Sequence, residues 1–155
     1  MNGYLIDTNV LVRLVLPHDP LCAVAGTALD ELKRQRKTVC IAAQNLIEFW
    51  SVASRPVEVN GLGMEPVKVA SEVDRIEKLF PILNDRASVY RRWRTLVEAY
   101  AVSGRQVHDT RLVALMLEHG IGQILTFNVD DFTRYSEIET VSPKTLVPGP
   151  PRPND

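Results

Sequence analysis

Cysteine is scarce in this chain: Cys22 and Cys40 are the only two among 155 residues. Their spacing matches no zinc-binding pattern, and both read as small buried thiols in a reducing compartment. No charge of one sign prevails, since 18 Lys plus Arg stand against 19 Asp plus Glu and the net charge is −1. A global basic field that would advertise nucleic acid is therefore missing, which leaves a local basic patch or a metal-neutralised acidic cleft as routes to RNA. No apolar run approaches bilayer length. The stretch before Asp7 lacks the basic start and long apolar segment of a signal peptide, so the expectation is a cytoplasmic protein without a membrane partner. Neither G-x-x-x-x-G-K-S/T nor G-x-G-x-x-G occurs, so nucleotide-cradling loops are unsupported. No serine or cysteine nucleophile pattern accompanies the histidines: His108 reads as a capping or packing residue, His18 and His119 as peripheral.

What is present is an alternation of strands and helices. Strands are expected at about residues 3–7, 38–41, 80–83 and 124–127, with a fifth at 138–141. Helices are expected over 10–16, 20–36, 43–54, 66–79, 85–102 and 108–119, with a loop over 57–63. Pro81 suits only an edge strand or a strand start. Strands separated by helices imply an α/β fold, a three-layer α/β/α sandwich around a mostly parallel sheet of four to five strands. Residues 1–146 read as one domain, and 147–155 as a proline-rich, extended or disordered tail.

Three acids stand out. Asp7 ends the first strand, at the C-terminal sheet edge where open α/β sheets bind ligands. Its bland reading is a helix N-cap, for which Thr8 and Asn9 are equally suited. Glu48 falls with Gln44, Asn45 and Ser51 on the polar face of its helix, opposite an apolar stripe of Ala43, Leu46, Ile47, Trp50 and Ala53. It is either a solvated surface acid or one wall of a cleft. Asp109 sits three, four and seven residues before Leu112, Val113 and Met116, on the apolar stripe of its own helix. A carboxylate aimed at a core needs a cation, hydrogen bonds or a proton, unless it serves as a first-turn acid. Asn128, Asp130 and Asp131 leave the C-terminal edge of the fourth strand, where turn chemistry is the competing explanation.

The pieces Leu5-Ile6-Asp7-Thr8-Asn9, Asn45-Leu46-Ile47-Glu48-Phe49, His108-Asp109-Thr110-Arg111 and Leu125-Thr126-Phe127-Asn128-Val129-Asp130-Asp131-Phe132 stand in this order over about residues 3–142. Together they resemble the PIN-domain family, and within it the VapC-type toxin ribonucleases of type II toxin–antitoxin systems. The resemblance implies an endoribonuclease that hydrolyses RNA phosphodiester bonds with water activated by Mg²⁺ (or Mn²⁺). It also implies a homodimer and a VapB-like antitoxin protein as partner. Carried over, Asp7, Glu48 and Asp109 are the catalytic acids and metal ligands. The family's fourth acid falls on Asn128, a neutral ligand at best, with Asp130 as its nearest substitute. Arg13 and Arg111 lie near the motif acids and are candidate RNA contacts. The basic stretch Arg86, Arg91, Arg92 and Arg94 reads mainly as a solvated helix face with Trp93 packed inward, and Leu11, Leu14 and Val15 as core that could also feed a partner groove. A PIN-like module that binds RNA or protein without catalysis is the alternative. A haloacid-dehalogenase-type phosphatase fits poorly, because Asn9 stands where that class needs a second Asp. A signalling module whose acids are mere caps is the remaining rival.

Overall fold

The computed structural model describes residues 2–147; the tail expected over 148–155 lies outside the described residues. Five strands form one sheet: β1 (Gly3–Ile6), β2 (Thr38–Ala42), β3 (Ile82–Leu83), β4 (Gln123–Leu125) and β5 (Glu139–Val141). Their order is β3-β2-β1-β4-β5, and every pairing is parallel. Two helices follow each of the first three strands. These are α1 (Thr8–Leu14) and α2 (Pro20–Arg34), then α3 (Ala43–Ser54) and α4 (Pro66–Leu79), then α5 (Ala87–Ala99) and α6 (Gln106–Glu118).

The layers follow from period-two alternation along the strands. Leu5, Cys40 and Ile124 face a core shared with Val89 and Leu96 of α5 and Leu112, Val113 and Leu115 of α6. Their neighbours Ile6, Ile41 and Leu125 face the opposite core, filled by α1 to α4 through Leu11, Leu32, Phe49 and Ile76. A sheet covered on both faces needs such apolar strands. Among the described residues, no helix is long and apolar enough to cross a membrane.

Proline and glycine shape the ends as expected, with modest shifts. Pro81 precedes the two-residue edge strand β3, and its carbonyl still accepts from Ile41 N at 3.0 Å. α2 stops at Arg34 because Arg36 turns to φ 57°, and α5 stops at Ala99, before Ala101 at φ 48°. The 57–63 loop contains a 3-10 turn at Val57–Val59. At Gly61 a side chain is impossible, since a Cβ would fall 1.9 Å from the Arg55 carbonyl oxygen.

Helix α3 corrects the sequence reading. Its buried face is Asn45, Phe49 and Ala53, whereas Ile47 is 70% exposed and Trp50 39% exposed. The reason is polar: Asn45 Oδ1 accepts from Ala42 N at 2.9 Å, and its Nδ2 donates to Thr8 Oγ1 at 3.2 Å. These bonds turn Asn45 inward where β2 runs directly into α3. A count of apolar side chains alone sends Ile47 and Trp50 inside instead. The cysteines are both free; Cys40 is buried, but Cys22 is only half-buried, with its thiol 3.8 Å from the Leu14 carbonyl.

Candidate active site

Strand order reverses at the central β1, with β2 and β3 to one side and β4 and β5 to the other. This switch point opens a crevice at the C-terminal strand ends. A cleft of about 290 Å³ lies there, lined by Asp7 and Asn9 after β1, Glu48 on α3, Asp109 on α6, and Asn128 and Asp131 after β4.

Asp7 is both cap and cleft residue. As N-cap of α1 its Oδ1 accepts from Thr8 N at 2.8 Å. Its Oδ2 accepts from Thr126 Oγ1 at 2.8 Å and from Asn9 Nδ2 at 3.1 Å. Thr126 Oγ1 in turn accepts from Asn9 Nδ2 and from Asn128 N, both at 3.0 Å. Asn9 Oδ1 completes the seam by accepting from Phe127 N at 3.1 Å. Thr8 and Asn9, which stand in the sequence as rival caps, therefore have separate tasks. Thr8 Oγ1 donates to Glu48 Oε2 at 2.7 Å, and Gln44 Nε2 donates to Glu48 Oε1 at 2.9 Å. Glu48 is thus held in the cleft rather than left as a free surface acid.

Asp109 has no such support. It is half-buried in the first turn of α6, and among the described residues no hydrogen bond ends on its carboxylate. A first-turn cap role is therefore not realised.

The loop after β4 departs from the sequence reading. Asp130 is exposed and does not line the cleft, whereas Asp131 does. Val129–Asp131 form a 3-10 turn. In that geometry side chains three apart eclipse one another, so Asp131 shares a side with Asn128 and Asp130 is turned away. The spacing of three in Asn-Val-Asp-Asp was the available signal, but only once the turn was known to be helical.

Crowding of these acids is visible in their proton affinities. Burial first of all raises the Asp7 carboxyl to about 6, the Thr126 and Thr8 hydrogen bonds oppose it, and Glu48 and Asp131 add to it. Asp109 is raised to about 7, again by burial first, then by Asp7, Asp131 and Glu48, against a lowering by Arg134. Two carboxyls held near neutrality in one cleft mark a site that favours added positive charge.

Both candidate RNA contacts, Arg13 and Arg111, carry ion pairs with carboxylates. Arg13 lines the cleft but pairs with Asp19 at 2.5 Å. Arg111 lies outside it, bonded to Asp85 Oδ1 at 2.9 Å and Gln44 Oε1 at 3.1 Å. A further cation, Arg134, lowers the Asp109 carboxyl from outside the cleft lining, and the sequence reading missed it. Its guanidinium donates to Gln106 Oε1, one turn before Asp109 on α6. Of the basic stretch on α5, Arg92 pairs with Glu118 and Arg94 with Glu98, and Trp93 is packed inward.

The PIN-domain family profile matches residues 4–138. The chain belongs to the PIN-domain family. No curated protein matches it. Among solved structures, VapBC2 from Rickettsia felis, bound to a DNA fragment from its promoter, superposes with TM-score 0.68 at 17% identity, covering 90% of this chain and 97% of that one. VapC20 from Mycobacterium tuberculosis, described as a Sarcin-Ricin loop cleaving toxin, gives 0.60 at 18% identity, covering 88% and 98%. A toxin–antitoxin complex from Klebsiella pneumoniae gives 0.64 at 19% identity, covering 91% and 98%. At these identities the likeness is one of fold, and the fold is the PIN-like α/β sandwich expected from the sequence.

PIN domains are a nuclease family generally dependent on divalent metals, and the donors here can be tested against that. The cleft offers oxygen donors only, which suits a hard cation and not zinc. Among the described residues no three His, Cys, Asp or Glu side chains stand close enough to form a ready-made cage. The two observations are compatible with Mg²⁺, which keeps several of its waters and takes one or two carboxylates plus substrate phosphate.

Proposed function

We propose that this protein is a Mg²⁺- or Mn²⁺-dependent endoribonuclease of the VapC type, the toxin of a pair with a VapB-like antitoxin. The observation that carries the reading is the convergence of Asp7, Glu48, Asp109 and Asp131 on one cleft, with two of them raised toward neutrality. Membership of the PIN-domain family supports a nuclease, and the VapBC likenesses support the toxin–antitoxin setting. The Sarcin-Ricin-loop-cleaving relative supports RNA as the substrate class. A cytoplasmic homodimer is part of the same reading.

Asp7 and Asp109 would hold the cation, with Glu48 and Asp131 reaching it directly or through water, and Asn128 as a neutral oxygen donor. When bound, the cation supplies a Lewis acid for the phosphoryl oxygens and eases deprotonation of water. The chain's own work is to position and to balance charge. Thr126 and Asn9 fix the Asp7 carboxylate, Thr8 and Gln44 fix Glu48, and Arg134 offers a guanidinium beside Asp109. Three hydrogen-bond donors on Asp7 stabilise its ionised form against the cost of burial.

The alternative, a PIN-like module that binds without cutting, draws on Asn128 in the fourth position. Asp131 supplies a carboxylate to the same cleft, which favours the catalytic reading. The experiment is expression of the chain alone, followed by RNA analysis. Growth arrest with new 5′ ends in cellular RNA, both abolished by Asp7→Ala in folded protein, is the expected result. Arrest that persists unchanged in Asp7→Ala contradicts the proposal.

A further inference from the structure

A second cavity, of about 370 Å³, lies between α5 and α6, lined by Arg86, Tyr90, Trp93, Val107, His108 and Arg111. Its size falls at the lower end of small-ligand sites, about 300–1,000 Å³. Tyr90 is 61% exposed, and its ring lies 5.9 Å from that of Trp93, tilted by 33°. The Trp93 indole is pinned by donation from Nε1 to the Val107 carbonyl at 2.8 Å, so this part of the wall is fixed before any ligand arrives. Two guanidinium groups close the cavity, Arg86 held by the Glu118 carbonyl at 2.7 Å and Arg111 by Asp85 and Gln44.

The cavity and the acidic cleft share a wall. Gln44 Nε2 donates to Glu48 in the cleft and to the His108 carbonyl at the cavity, while Gln44 Oε1 receives Arg111. His108 lines the cavity and the next residue, Asp109, lines the cleft. Aromatic faces flanked by fixed guanidinium planes are the chemistry that takes an unstacked base, since every base has a π-face and the strand is anionic.

We propose that this cavity is a subsite for an unpaired nucleobase of a single-stranded RNA whose backbone crosses the acidic cleft. The inference rests on the nuclease reading for why RNA is there. Tyr90 is the exposed side of the stacking site and Trp93 its fixed floor, and Arg86 and Arg111 favour the neighbouring phosphates. Paired bases cannot enter, so the subsite selects loops and single strands.

The test is fluorescence of Trp93 in a Trp50→Phe background, in EDTA so that no cleavage occurs, with a short mixed-sequence single-stranded RNA as probe. Saturable quenching is expected, with affinity about ten- to a hundredfold weaker in Tyr90→Ala and largely kept in Tyr90→Phe. A strand abasic throughout or a duplex of equal length should quench weakly. With Mg²⁺ present, Tyr90→Ala should raise KM by a similar factor at nearly unchanged kcat and unchanged melting temperature. Equal binding by abasic strand or duplex, or wild-type affinity and KM in Tyr90→Ala, overturns the subsite. Quenching without cleavage in any variant supports the subsite and overturns the nuclease reading alone.

Discussion

Thr126 Oγ1 donates a 2.8 Å hydrogen bond to Asp7 Oδ2 across 119 residues of sequence. The end of β4 thereby fixes the carboxylate at the end of β1, and the same hydroxyl accepts from Asn128 N, which starts the loop leading to Asp131. One fully buried threonine sets the positions of two elements of the site.

Thr126→Val keeps the shape and removes both roles. Asp7 loses a donor, and the Asn9 amide and Asn128 N–H lose their acceptor. The expected cost is about 1–3 kcal/mol, read from the denaturant midpoint at pH 7.5, whereas Thr126→Ser should cost less than half of that. A loss too small to measure in Thr126→Val would show that the seam is not fixed through this hydroxyl.

Asp109→Asn should separate stability from activity. The wild-type carboxylate is half-buried with no hydrogen-bond donor among the described residues, and burial, then the charges of Asp7, Asp131 and Glu48, raise it to about 7. An amide of the same shape removes the charge, so the metal-free protein should gain about 0.5–1 kcal/mol at pH 8, discounted for partial exposure, and lose RNA cleavage. Thermal melts in EDTA check the first half.

Acid should stabilise the metal-free protein through these two carboxyls. Both bind protons more tightly folded than unfolded, where carboxyls titrate near about 4. The folded state therefore carries extra protons between about pH 4 and pH 7. Stability contributed by them is complete below that window and is lost as pH rises through it. Mg²⁺ should raise the melting temperature at pH 7.5 and much less at pH 5, because its ligands must be ionised. A Mg²⁺ shift equal at both pH values would contradict the assignment.

Gln44→Glu tests how Glu48 is held. Arg111 can only donate, so it faces the Gln44 oxygen and leaves the amide nitrogen toward Glu48 and the His108 carbonyl. Glutamate there sets a carboxylate against another carboxylate. Expected is a fall in kcat of about tenfold or more with little change in KM, and a smaller loss for Gln44→Met.

Much of the fold could be read from residue order. Apolar β-type runs between amphipathic segments located every strand, and Pro20, Pro66 and Pro81 marked boundaries that hold to within a few residues. Asp7 and Asp109 could be singled out because each borders or breaks a local pattern, Glu48 only through the family resemblance, and all three line the cleft. What could not be read depends on contacts distant in sequence. Asn45 looks like a surface residue until Ala42 N and Thr8 are placed beside it. Asp131 and Asp130 are interchangeable in composition, and only the 3-10 turn decides between them. Arg134 becomes a neighbour of Asp109 only when the loop after β4 folds back against Gln106. The ion pairs of Arg13 with Asp19 and of Arg111 with Asp85 could not be read either, because neither acid carries a motif.

The most direct measurement is cleavage of a labelled single-stranded RNA by the purified protein, with Mg²⁺ and with EDTA, alongside Asp7→Asn and Asp109→Asn shown to be folded by thermal melting. Cutting by the wild type should need the cation and fall at least about a hundredfold in either variant. Cleavage that survives EDTA, or that persists at the wild-type rate in both variants, would contradict the metal-dependent nuclease reading.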